Sequence, residues 1–139
     1  MTRWVTIALA LVACGEAELE SVAPEVFALE ARYERHVRPI LATYCTSCHT
    51  GLGERAGGVE LDQYESAHAG RVHNVCTAVG PVVVARYAEV LVPFPRSGQA
   101  PREACEGWEV GSMPTGARSR PTLEEQVILA RWVELGGPR

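Results

Sequence analysis

The chain has 139 residues, 47% hydrophobic and 22% charged, with a formal net charge of −4. That length and balance fit one domain with its own core and exclude a disordered chain. The acidic excess argues against a nucleic-acid partner. All 13 basic residues are arginine, so any positive docking face must be built from guanidinium groups.

Arg3 is a short positive leader, and Trp4 to Val12 form an apolar stretch too short to span a bilayer. Leu11-Val12-Ala13-Cys14 resembles a bacterial lipobox, in which cleavage precedes a cysteine that then carries lipid. An ordinary signal peptide is the alternative. On the lipobox reading, residues 1–13 are removed and Cys14 anchors the chain to a membrane face without crossing it. Residues 14–30 carry Glu16, Glu18, Glu20 and Glu25 and read as an acidic tether; the folded domain spans 31–139.

From Glu25 onward, Val26, Tyr33, Val37, Ile40, Leu41 and Tyr44 recur at helical spacing. Pro39 interrupts them, which predicts one helical segment to about His36 and a second starting near Pro39. The second delivers Cys45-Thr46-Ser47-Cys48-His49 on its last turns. C-x-x-C-H is the attachment signature of a c-type haem. Two thiols at this spacing add to the two vinyl groups of one haem edge, and the next histidine falls under the iron. A redox dithiol would expect a β-α-β setting, and no strand pattern precedes Cys45. A structural zinc site would need a second ligand pair, which the well-separated Cys14, Cys76 and Cys105 do not supply.

A glycine-rich loop over Gly51, Gly53, Gly57 and Gly58 follows, then a short helix over Tyr64 to Ala69 with Asp62 near its start. His36, His68 and His73 are alternative haem ligands in principle, but such histidines are more often surface residues. Val82 to Val92 is the most apolar run after the leader. Its β-branched content suggests a strand, whereas a helix over about Val84 to Leu91 suits the overall pattern better. Pro93, Pro95, Gly98 and Pro101 mark a loop.

The chain has 2 methionines, and Met1 leaves with the leader. A His/Met-ligated iron would therefore take its thioether from Met113, in the loop Gly111-Ser112-Met113-Pro114. Such a ligand raises the reduction potential and closes the iron to exogenous molecules. A methionine filling a core gap is the alternative. Thr122-Leu123-Glu124-Glu125 forms a capping box, and the helix it opens runs to about Leu135, stopped by Gly136, Gly137 and Pro138. Leu123, Val127, Ile128, Trp132 and Leu135 lie on its apolar face. With Cys14, Cys45 and Cys48 assigned, Cys76 and Cys105 remain as an even pair in an oxidising compartment. A disulfide between them would contribute about 3 kcal/mol; two buried thiols are the alternative.

Taken in order, these pieces resemble a class I cytochrome c domain of the type first described in planctomycete proteins. The resemblance is carried by Val37-Arg38-Pro39-Ile40-Leu41, Cys45 to His49, Gly57-Gly58-Val59-Glu60-Leu61-Asp62, Met113-Pro114, and Leu123-Glu124-Glu125 through Trp132 to Gly136-Gly137-Pro138. It covers about residues 36–138. It implies an all-α fold in which N- and C-terminal helices cross around one covalent haem, His49 and Met113 as axial ligands, and one-electron transfer. Two departures stand out. No proline occurs between His49 and Pro81, although members of the family often use a proline carbonyl there to orient the proximal histidine. The stretch from Arg71 to Trp108 matches the family loosely.

The resulting expectation is a lipid-anchored monohaem cytochrome, periplasmic or on the cell surface, passing electrons between redox partner proteins. It is an electron carrier rather than an enzyme, with a haem sensor or a docked haem subunit of a larger complex as rival classes.

Overall fold

The structure is a computed structural model that describes residues 18–50, 58–91, 110–115 and 118–139. Among these residues every regular element is helical and no strand occurs. The all-α expectation holds at that level.

Helix α1 (Pro24–Phe27) opens on Pro24, whose missing N–H falls where a helix start leaves amides unpaired anyway. It packs against the last helix of the chain, and Val22 and Val26 are both buried. The chain thus joins the core at Val22, inside the stretch read as a tether.

The two segments expected ahead of the cysteine motif are present and meet just before Pro39, but they abut rather than part. A π-helical turn over Tyr33–Val37 runs without a break into α2 (Arg38–Tyr44), where Pro39 takes an early position. In a regular α-helix Pro39 would clash with the carbonyl one turn back. The wider turn, in which the Val37 N–H reaches the Arg32 carbonyl at 3.2 Å, re-aims that backbone. Local widening of this kind is a standard site of helix adjustment. Tyr33, Val37, Ile40 and Leu41 face inward. Cys45 caps the helix, so the motif follows its last turn rather than lying within it.

Helix α3 (Tyr64–Ala69) matches its predicted span, and α4 (Arg71–Ala78) follows it directly through Gly70. The apolar run forms two short helices, α5 (Pro81–Arg86) and α6 (Ala88–Leu91), hinged at Tyr87. The strand alternative therefore fails, and so does a single helix over Val84 to Leu91. Pro81 starts α5, and Val83, Val84, Tyr87 and Leu91 bury at helical intervals.

Helix α7 (Leu123–Glu134) carries the predicted capping box. The Glu125 N–H donates to Thr122 Oγ1 at 3.3 Å, and the Thr122 N–H donates to Glu125 Oε2 at 2.8 Å. Its buried face is Val127, Leu129, Ala130, Trp132 and Val133; Leu123, Ile128 and Leu135, expected on it, are half-buried. The face is displaced because α1, the π-turn, α4, α5 and α6 all pack on this one helix.

The helix ends in a Schellman motif: Gly137 N–H reaches Trp132 O at 2.8 Å and Gly136 N–H reaches Val133 O at 3.0 Å. Both glycines have positive φ, +82° and +75°. The tail then ties the two ends of the domain together. Pro138 O accepts the backbone N–H of Tyr33 and the indole N–H of Trp132, each at 2.9 Å. Gly137 O accepts the Tyr64 hydroxyl at 2.9 Å.

Candidate functional site

The motif forms a compact turn because its own backbone closes it: the N–H groups of Cys48 and His49 both donate to Cys45 O at 3.1 Å. The chain leaving the turn is held by Leu61, whose N–H donates to His49 O at 2.8 Å. Above the turn, helices α2, α4 and α7 enclose a cleft with about 480 Å³ of space, part of it open to solvent. Val37, Leu41, Leu61, Val75, Leu129 and Trp132 supply most of its apolar wall, and Cys45, His49 and Met113 all line it. Two residues far apart in sequence, His49 and Met113, thus share one apolar chamber.

Met113 is placed by its backbone. Its N–H donates to Thr77 O at 3.0 Å, and the Gly111 N–H approaches Cys76 O at 3.5 Å, so the loop docks on the C-terminal end of α4. Gly111 has φ +64°, and a side chain there would also press on Val79 O at 3.3 Å; glycine meets both demands. Arg120 closes the loop from the other side through a hydrogen bond from its guanidinium to Gly111 O. The Met113–Pro114 peptide is cis. Met113 keeps 37% of its surface exposed.

Burial, with a smaller contribution from Cys48, pushes the Cys45 thiol up to about 11. A nucleophilic dithiol needs the opposite, a thiol lowered toward neutral pH. The raised value argues against Cys45 as the nucleophile of a cycling dithiol. Cys48 lies at the outer side of the turn, where the Arg118 guanidinium reaches both Ser47 Oγ at 3.1 Å and Cys48 Sγ at 2.9 Å. His49 Nδ1 is buried with no hydrogen-bond partner among the described residues. Among the described residues no carbonyl accepts from it.

The other histidines lie elsewhere. His36 Nδ1 accepts the Arg32 N–H at 3.0 Å, and burial together with Arg35 and Arg32 holds its pKa below the ordinary value. His68 Nε2 contacts Gly136 O at 3.1 Å, with its ring against Tyr64 and Trp132. His73 lines a separate recess. None of the three lines the cleft.

Cys76 is fully buried and disulfide-bonded. Cys105 and Cys14 lie outside the described residues. Among the described residues no group of three or more His, Cys, Asp or Glu side chains gathers as a metal site, and no helix is long and apolar enough to cross a membrane.

Sequence reasoning missed the walls that α4 contributes, Asn74, Val75 and Ala78. The signal was present: Val72, Val75, Cys76 and Val79 follow i, i+3, i+4, i+7.

The donor set suits a c-type haem: two cysteines, one cleft-lining imidazole with a buried nitrogen, one cleft-lining thioether, and apolar walls. The chain matches no protein-family model, no curated protein and no solved structure at a significant level.

Proposed function

We propose that this chain is a monohaem c-type cytochrome that carries single electrons between extracytoplasmic redox partners, tethered by lipid on Cys14. Cys45 and Cys48 would hold the haem as thioethers, with His49 and Met113 as the axial ligands and Cys76 bridged to Cys105. The observation that carries this reading is the meeting of His49 and Met113 in one apolar cleft. Once bound, the group supplies a one-electron iron couple. The residues of the chain do the rest. The walls exclude water, which favours the ferrous state, and the soft thioether acts in the same direction. The hydrogen bond from the Met113 N–H to Thr77 O fixes where that thioether is presented.

A second reading, a haem sensor or ligand-binding domain, draws on the 37% exposure of Met113, which leaves the thioether accessible to displacement. One experiment separates the two. The purified protein is expected to carry covalent haem, to show the far-red ferric charge-transfer band that marks methionine–iron bonding, and to bind carbon monoxide slowly. In Met113→Ala the band disappears and carbon monoxide binds fast. An unchanged spectrum in Met113→Ala would remove Met113 as ligand, and fast carbon monoxide binding by the unmodified protein would favour the sensor.

A further inference from the structure

Haem is lopsided: the vinyl edge that meets the cysteines lies opposite an edge bearing two carboxylates. A carboxylate is costly to bury without a partner, and the cleft offers little. Among the described residues, apart from the cysteine, histidine and methionine already assigned, and Trp132, whose indole N–H is engaged by Pro138 O, the polar residue that lines it is Asn74. Asn74 is half-buried on α4, and its amide makes no hydrogen bond to another described residue.

On the far side of Asn74 lies a second cavity, a solvent-open recess of about 630 Å³. Val59, Glu60, Ser66, Gly70 and His73 line it together with Asn74. Among the described residues Asn74 is the one the two cavities share. The amide sits against Gly70, where an added Cβ would come within 3.0 Å of Asn74 Nδ2. His73 already takes part in another interaction and Ser66 lines the recess but not the cleft, so among the described residues Asn74 is the donor placed to serve something arriving from the cleft.

We propose that Asn74 marks the exit of the haem carboxylates: its amide hydrogen-bonds one of them, and the recess beside it receives the edge that carries both. This rests on the haem reading above. Asn74 is a positioning residue, and the recess sets how solvent meets the carboxylate edge.

The test uses the haem-loaded protein and two variants, Asn74→Leu and the near-isosteric Asn74→Asp, with Gly70→Ala as a third. The readouts are the resonance Raman bending band of the haem carboxylates and the midpoint potential. Asn74→Leu is expected to shift the band, and Asn74→Asp to lower the potential by placing an anion beside the carboxylates. Gly70→Ala, which pushes the amide aside at an ordinary φ, gives a smaller band shift. Band and potential at unmodified values in both Asn74 variants, with the methionine–iron band retained, would overturn the proposal and leave the cytochrome reading standing. An unmodified protein without covalent haem would overturn both.

Discussion

The backbone N–H of Leu61 donates to the carbonyl of His49 at 2.8 Å, which fixes the chain just beyond the cysteine motif. Leu61 is itself held from the π-turn, since the Tyr33 hydroxyl donates to Leu61 O at 3.2 Å. Position thus passes from the π-turn through Leu61 to the backbone of His49.

Tyr33→Phe breaks that link and leaves a buried carbonyl without its donor. A loss of about 1–2 kcal/mol of stability is expected, read as a lower midpoint in chemical denaturation. An unchanged midpoint would mean that solvent replaces the hydroxyl and that the link carries no stability.

The same tyrosine predicts a pH dependence. Burial, outweighing the opposing Arg38 charge, raises the Tyr33 phenol above its ordinary value, and burial does the same to Tyr87. The folded state holds these protons more tightly than the unfolded chain. Their contribution is complete below the unfolded tyrosine range and is lost as pH climbs through the raised values. The unfolding temperature should fall above a pH of about 10, and fall less steeply in Tyr33→Phe. Equal slopes in the two proteins would assign the effect to other groups.

Cys45 supplies a chemical check on the cleft. With its thiol raised to about 11 by burial, alkylation of Cys45 in haem-free folded protein should be slow at neutral pH and accelerate as pH rises. Unfolding in denaturant should abolish the protection. Peptide mapping after iodoacetamide measures both. Fast labelling of folded protein at neutral pH would place Cys45 in water.

The two tail glycines separate backbone strain from crowding. Gly136 has φ +82° and open space where a Cβ would go, so Gly136→Ala should cost about 1 kcal/mol from the left-handed backbone alone. At Gly137, φ is +75° and a Cβ would meet His68 Cδ2 at 2.7 Å and Arg71 Cδ at 2.8 Å. Gly137→Ala should therefore cost more and disturb the Tyr64 hydroxyl that donates to Gly137 O. Thermal unfolding of the two variants gives the ranking, and equal losses would show that His68 and Arg71 move away freely.

Sequence alone determined the features whose causes lie within a few residues of one another. The capping box at Thr122 and Glu125, the glycine stop after α7 and the span of α3 all follow from local hydrogen bonding and backbone freedom. Met113 could be singled out by counting, because only two methionines exist. What sequence could not decide was how distant surfaces meet. The π-turn that lets one helix run past Pro39, the hinge at Tyr87 and the displaced face of α7 are compromises among several helices packing on one another, and no local pattern encodes them. The cysteine motif shows the same division. Its spacing carries the proposed attachment chemistry, but only the packing of α2, α4 and α7 brings His49 and Met113 to one cleft and leaves His49 Nδ1 buried with no partner among the described residues.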